Sequence, residues 1–243
     1  DSAINESSLS IAGGFGTIVL GGNDAAGDDY MISANDLIAE EEAPSVVSAS
    51  IGTDTDISLD DGDNNKITYH LPAMGGLTVG ASYTDSGSKE TSTDTTSFGA
   101  QYTMEAAGNT VTIGGATATT EATTTDTDAQ NMGIKIVSGN ASFILAKSEL
   151  ESVDDDIETT GVSASYTMAN GMVLGVYSLK SEDDKDTSEE YTASGVEVQY
   201  TIAAGLTAYI NVDDYEYTAA TSGGQTTTSD SGTNSKLTIK ATF

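Results

Sequence analysis

Carboxylate side chains are concentrated in one long polar stretch, residues 21–63. Its first half carries these acidic residues: Asp24, Asp28, Asp29, Asp36, Glu40, Glu41 and Glu42. Fixed carboxylates that line a narrow aqueous passage attract cations and slow anions, as acidic rings do in cation channels. The stretch therefore predicts attraction of cations wherever it borders confined water. Solvated surface charge is the competing interpretation.

A shorter acidic cluster has the ligand types of a calcium site. Asp60, Asp61 and Asp63 place three carboxylates around Gly62, and Ca²⁺ is bound by oxygen ligands that include aspartate. Ca²⁺ is therefore the candidate ligand at these three residues, although no cofactor is required. The alternative is again solvated charge without a bound metal.

Catalytic chemistry has little support in the sequence. His70 is the single histidine, so a His-based zinc site cannot form, and no Ser/His/Asp spacing is present. The chain has no cysteine, which excludes disulfides, thiolate metal sites and a thiol nucleophile. We predict that the chain is not an enzyme and that His70 is a polar residue lining the inward face of its strand, with a general base as the alternative.

The net charge of −30 excludes one class of partner. The chain has 38 acidic residues, eight lysines and no arginine. This charge repels nucleic acid, so we expect no nucleic-acid partner. It favours contact with cations or a saline medium that screens the repulsion. No segment approaches the roughly 18 consecutive apolar residues of a membrane helix.

Apolar and polar residues alternate with a period of two along most of the chain. In the last segment Leu237, Ile239, Ala241 and Phe243 share one face, while Lys and Thr share the other. The recurrence predicts an all-β, antiparallel fold of about thirteen strands. The predicted strands begin near Leu9, Thr17, Lys66, Leu77, Phe98, Val111, Met132, Ala141, Val162, Met172, Val196, Leu206 and Ser235.

The predicted connections alternate in kind. Short turns that contain glycine, such as 169–171 and 203–205, are followed by long polar connections such as 147–160 and 213–234. Short turns at one rim and long loops at the other are typical of outer-membrane barrels. Within the 21–63 connection, a short helix is predicted at residues 33–42, capped by Ser33 or Asn35.

The two faces of the predicted strands differ in the way a membrane barrel requires. Tyr102, Tyr166 and Tyr200 lie on the apolar face close to short turns, where they would form an aromatic girdle. The opposite face carries the following polar residues among others: Lys66, Thr68, His70, Lys135 and Lys240. A dry core could hold these only at heavy cost, whereas a water-filled lumen can. We predict one transmembrane barrel domain over residues 1–243.

Two short segments and the chain terminus resemble a known family. Residues 15–21 (FGTIVLG), the long stretch after them, and residues 65–69 (NKITY) resemble the general diffusion porins of Gram-negative bacteria, particularly the alphaproteobacterial type. Phe243 resembles the terminal residue of the family's outer-membrane assembly signal. The resemblance covers essentially the whole chain by architecture.

The resemblance implies a sixteen-stranded barrel, usually a homotrimer, whose third loop folds into the pore. It implies a lipid bilayer with lipopolysaccharide as surroundings, and small hydrophilic solutes and cations as permeants. Counted back from Phe243, the first strand here corresponds to the family's fourth, and residues 21–63 correspond to its constriction loop. We therefore expect about three further N-terminal strands, in the same or another polypeptide.

The wall opposite the loop departs from the family's pattern. These porins commonly carry a basic cluster there, often arginine, whereas this chain has no arginine. Thr68 stands where the resemblance implies a basic residue. The nearest substitutes as pore-wall residues are Lys66, His70, Lys135 and Lys240.

The sequence thus favours an outer-membrane porin, a passive water-filled channel that prefers cations. The first alternative is a secreted, acidic, calcium-binding β-rich adhesin or surface-layer protein, which would bury Tyr102, Tyr166 and Tyr200 in a core. The second is a barrel enzyme, which would need a serine partner for His70.

Overall fold

The computed structural model describes residues 7–39, 51, 53–55, 65–85, 94–122, 126–185, 189–218 and 229–242. These residues form thirteen strands, an α-helix and a 3₁₀ helix. The elements are β1 (Ser8–Gly13), β2 (Gly16–Gly22), α1 (Ala26–Tyr30), the 3₁₀ helix (Ala34–Leu37), β3 (Asn65–His70), β4 (Leu77–Asp85), β5 (Asp94–Ala106), β6 (Asn109–Glu121), β7 (Thr127–Ser138), β8 (Ala141–Glu151), β9 (Asp156–Thr167), β10 (Val173–Asp183), β11 (Glu190–Ala203), β12 (Leu206–Thr218) and β13 (Asp230–Ala241).

All thirteen strands belong to one antiparallel sheet, which confirms the predicted fold class. Each strand pairs only with its neighbours in sequence, from β1 to β13 in order. Strands β1 and β13 are the edges, and no described pairing joins them. The prediction of further N-terminal strands stays a prediction.

The outward face is apolar and exposed along the strands. Phe98, Leu145 and Leu237 are 55%, 51% and 67% exposed. The tyrosines placed near the short turns are exposed as well: Tyr102, Tyr166 and Tyr200. A secreted protein with these tyrosines in a core is not what the structure has, because the rings point away from the face that the described loop covers.

The strands extend further than the hydrophobic alternation indicated. Residues 147–160 were expected to be one long connection, but β8 continues to Glu151 and β9 starts at Asp156. The paired residues here include Lys147 with Thr160 and Glu149 with Glu158. Where water meets both faces a strand no longer needs apolar residues, so the ladder continues without the pattern that predicts it.

The core lies between the inner face of the sheet and the long segment after β2. Helix α1 packs on β3 to β6, and the 3₁₀ helix packs on β8 to β10. One buried cluster joins Ile38 and Ile51 of this segment to Tyr177, Tyr191 and Tyr217 of the wall. Neither helix in the described part of the chain has the length and apolar character that crossing a bilayer requires.

Candidate functional site

A track of glycines lets the loop backbone lie directly against the inner wall. A Cβ on Gly99 would come 2.5 Å from the carbonyl oxygen of Ala26, and one on Gly133 would come 2.7 Å from Ile32 Cβ. Across β6 to β9 the inner residues in register are all small: Gly114, Gly133, Ala146 and Gly161. Larger residues here would displace the loop, so the wall is shaped to seat it.

Serines of the wall provide the N-terminal cap of α1. The hydroxyl oxygen of Ser82 accepts a hydrogen bond from the Ala26 N–H at 3.1 Å, and that of Ser97 accepts one from the Gly27 N–H at 2.7 Å. The N-cap residue, Ala25, has no side chain that could do this. The first orphan donors of the helix are therefore satisfied only where the loop meets β4 and β5.

Asn131 of β7 binds the loop at two points. Its Oδ1 accepts from the Ile32 N–H at 3.2 Å, and its Nδ2 donates to the carbonyl oxygens of Ile32 at 3.2 Å and Thr55 at 2.7 Å. The side chain is 5% exposed. Because an unpaired amide is costly to bury, these contacts hold the outgoing and returning parts of the loop on the wall.

The 3₁₀ helix and the segment after it are held at both ends. Ser33 caps the helix by accepting from the Asn35 N–H at 3.2 Å, as predicted, but the helix ends at Leu37 and is shorter than residues 33–42. The buried carboxylate of Glu197 accepts from the Ala39 N–H at 3.1 and 3.2 Å. The loop is thus anchored from β4 as far as β11.

The loop turns carboxylates away from the wall that it covers. Asp24, Asp29 and Asp36 are exposed, and Asp28 is half-buried. The residues between them face the wall and are buried: Ala25, Ala26, Gly27, Tyr30, Ile32, Ser33, Ala34 and Asn35. The described part of the loop therefore presents aspartates as its exposed ionisable groups.

Two of these aspartates interact with basic side chains of the wall. Asp29 Oδ2 is 3.6 Å from His70 Nε2, and a hydrogen bond of 2.9 Å joins the other ring nitrogen of His70 to Tyr30 Oη. Partial burial raises the pKa of Asp29, opposed by the charge of His70. Burial also raises the pKa of Asp36, opposed by the charge of Lys135 on β7.

The other expected wall residues lie elsewhere on the inner face. Lys66 is 3% exposed and Thr68 is fully buried, and Thr68 accepts a hydrogen bond from Asn23 Nδ2 at 2.7 Å. Both therefore lie beneath the start of the loop and do not line open water. Lys240 is exposed on β13, with its Nζ 5.7 Å from the centre of the Tyr209 ring.

Several predicted residues lie outside the described ranges. They are Glu40, Glu41, Glu42, Asp60, Asp61, Asp63 and Phe243. Among the residues that are described, no group of three or more His, Asp and Glu side chains could hold a metal ion. The acidic cluster at residues 60–63 as a calcium site stays a prediction.

Sequence reasoning missed the residues that position the loop. Ser82, Ser97 and Asn131 are ordinary polar residues at inward positions, and nothing local distinguishes them from lumen-facing ones. The glycines gave a weak signal, because Gly80, Gly99, Gly114, Gly133 and Gly175 fall at inward positions of predicted strands, where small residues indicate a close backbone approach.

The fold is shared with solved bacterial porins. An anion-selective porin from Comamonas acidovorans is 16% identical with a TM-score of 0.69, and the match covers 98% of this chain and 77% of that one. The trimer form of OmpT from Vibrio cholerae is 15% identical with a TM-score of 0.63, over 97% of this chain and 80% of that one. At such identities the likeness shows the fold alone.

The sequence itself identifies the family. No curated protein matches the chain, but the profile of the Gram-negative porins matches residues 1–240. This match spans nearly the whole sequence, and it agrees with the antiparallel sheet, the apolar outward face and the loop on the inner wall. The chain therefore belongs to the Gram-negative porin family, the channel proteins of the bacterial outer membrane.

Proposed function

We propose that the chain forms a passive, cation-preferring channel for small hydrophilic solutes, with residues 21–63 as its constriction loop. The single observation that carries the proposal is the exposure of Asp24, Asp29 and Asp36 on the loop. Carboxylates fixed in a narrow aqueous passage lower the free energy of a cation and raise that of an anion. Transport along a gradient requires no chemical step and no cofactor.

The placement of the lysines supports the same sign of selectivity. Lys66 is buried under the loop and adds no exposed positive charge there. The charge of Lys135 offsets part of the charge of Asp36, and His70 Nε2 lies 3.6 Å from Asp29 Oδ2, which leaves Asp24 as an exposed negative charge. The Comamonas neighbour is described as anion-selective, and we propose the opposite preference for this chain.

Neutralising the three exposed loop aspartates tests this proposal. In planar bilayers under a salt gradient, we expect Asp24→Asn/Asp29→Asn/Asp36→Asn to lower the cation-to-anion permeability ratio on the order of tenfold, the low end of the effect of charged clefts on local ion concentration. The reversal potential measures this ratio directly. An unchanged reversal potential would refute the role of the loop.

A matched control removes the same number of charges from the other face. Asp85, Asp128 and Asp214 are exposed at outward positions of β4, β7 and β12. Asp85→Asn/Asp128→Asn/Asp214→Asn should leave the reversal potential near the wild-type value, because these carboxylates do not border the lumen. An equal effect of both triple variants would mean that net charge, and not the loop, sets the preference.

We propose that the channel is a homotrimer in contact with the lipid bilayer and lipopolysaccharide. Membership of the family supports this assembly, as does the OmpT neighbour, whose structure was solved in a trimer form. The apolar outward face supports the lipid contact. Native mass spectrometry of protein extracted in mild detergent tests the subunit number.

A further inference from the structure

The constriction loop passes over the inner wall twice, and one side chain touches both passes. The outgoing limb contains Ile32, and the returning limb contains Thr55. Asn131 of β7 accepts from the Ile32 N–H and donates to the carbonyl oxygens of Ile32 and Thr55. These contacts span 99 and 76 residues of sequence.

We propose that Asn131 is the positioning residue of the channel: its buried amide fastens both limbs of the loop to β7 and so keeps the aperture constant. The inference rests on the proposed function in that residues 21–63 form the constriction. The inference adds the residue that determines the position of the constriction. Asn131 itself need not touch a permeating solute.

The chemistry of the wall explains why a side chain has this role. Strand β7 is paired on both sides, since Asn131 is in register with Ala116 of β6 and Ser148 of β8. Its peptide groups are therefore committed to the ladder and cannot pair with a segment that crosses the strand. A primary amide carries both an acceptor and donors, as a peptide group does, so Asn131 can pair with Ile32 as a neighbouring strand would.

The two limbs are also bound to one another at this point. Thr55 is fully buried, and its hydroxyl oxygen accepts from the Ala34 N–H at 2.7 Å and lies 3.1 Å from the hydroxyl of Ser33. On the outgoing limb, Ile32 packs over Gly133, two residues beyond Asn131 on the same strand. Fastening the limbs at Asn131 therefore fixes the segment that carries Asp29 and Asp36 on either side of it.

The test compares Asn131→Ala with Asn211→Ala in the full chain. Asn211 is a matched control because it is also an inner-face asparagine, 1% exposed, and its side chain makes no hydrogen bond with the described residues. The first measurement is hydrogen exchange of the Ile32 and Ala34 amides in protein folded in detergent micelles. The second is the current noise of the open channel in planar bilayers.

We expect Asn131→Ala to speed exchange at Ile32 about tenfold, the factor for the net loss of one ordinary hydrogen bond, and to raise current noise. Asn211→Ala should leave both at wild-type values. A second pair of variants changes the loop and not the wall. Thr55→Val removes the hydroxyl that accepts from the Ala34 N–H and should speed hydrogen exchange at Ala34, whereas Thr55→Ser keeps a hydroxyl and should keep the amide protected.

Two results would overturn the inference. One is exchange at Ile32 and current noise in Asn131→Ala that match those of Asn211→Ala. The other is faster exchange along β6 to β8 as a whole, because Asn131 would then support the sheet and not the loop. A wild-type channel without cation preference would contradict the proposed function but not the role of Asn131, since the exchange measurement does not depend on ion selectivity.

Discussion

At the scale of single residues, the loop divides its side chains by role. Small and apolar residues such as Ala26, Ile32 and Ala34 fill the space over the glycine track, while Asp24, Asp29 and Asp36 remain in contact with water. A carboxylate held beside low-dielectric packing keeps its charge less readily than one in free solution, because burial disfavours the ionised form. The same seating that fixes the aspartates therefore makes them sensitive to pH.

Acidification should reduce the proposed cation preference at a higher pH than free aspartate would. Burial raises the pKa values of Asp29 and Asp36, so both carboxyls take up protons above the ordinary value of about 3.9. Each proton bound removes one negative charge from the lumen. Reversal potentials measured from about pH 7 to about pH 4 should fall along this range.

The Asp29→Asn/Asp36→Asn variant is the control for this titration. With the two groups absent, the reversal potential should change less over the same range. The comparison is made in a His70→Gln background, so that the two proteins differ only at Asp29 and Asp36. An identical pH profile in both proteins would assign the effect to other carboxylates.

At the scale of elements, loop and wall form a matched pair. The inward glycines of β4 to β7, β9 and β10 lie under successive parts of the loop, and the inward Ser82, Ser97, Asn131 and Glu197 satisfy its backbone N–H groups. Helix α1 has only five residues, too few to be stable alone. Its stability must come from the wall.

Filling the glycine track should move the loop. In Gly133→Val, the new side chain would meet Ile32 Cβ, where even a Cβ lies at 2.7 Å. Overpacking of this kind typically costs about 1–3 kcal/mol, and relief is available toward the lumen. We expect a lower single-channel conductance and faster exchange of the Ile32 amide.

Met132→Leu is the control on the same strand, since Met132 is 68% exposed on the outward face. Its conductance should equal that of the wild type. If Gly133→Val conducts normally as well, the loop does not rest on the track in the open channel.

The sequence predicted those elements whose signals are local. The alternation of residues such as Leu237 and Ile239 indicated the strands and their faces, and Ser33 indicated the start of the 3₁₀ helix. Helix α1 was not predictable, because the hydroxyls that cap it come from Ser82 and Ser97, 56 and 70 residues away. The burial of Lys66 was missed for the same reason, since an inward position does not tell whether the loop or water lies above a residue.

At the scale of the whole molecule, the sheet separates two solvents. Its outward face presents exposed Phe98, Leu145 and Ile239, and its inner face holds polar residues and the loop. In the hydrocarbon region, backbone groups that face a neighbouring strand are satisfied by the ladder that joins β1 to β13 in order. The free-energy cost of introducing a charged residue should therefore depend on which face of the sheet it occupies, and not on the residue type alone.

A lysine introduced on each face of β8 tests this division. Leu145 is outward and 51% exposed, whereas Ser142 pairs with the inner-face Ser165. We expect Leu145→Lys to destabilise the membrane-inserted fold by about 2–4 kcal/mol, the cost of lysine at the lipid midplane of a barrel. Ser142→Lys should instead alter ion selectivity with little loss of stability.

Reversible unfolding in lipid vesicles measures the change in the free energy of unfolding that each lysine causes. Equal destabilisation by both lysines would contradict the assignment of faces.

Asn131 and Glu197 bind loop residues that are far from them in sequence, and this separation has a consequence for the order of assembly. Every strand finds its partner in the adjacent hairpin, so the wall can be completed by short-range zippering. The loop cannot be fully seated before β11 has joined the sheet, because the anchor Glu197 lies 158 residues after Ala39 in the chain. An assembly intermediate that lacks β11 and the strands after it would therefore hold the loop only by its earlier anchors, and the loop would take its final position when the last hairpins join.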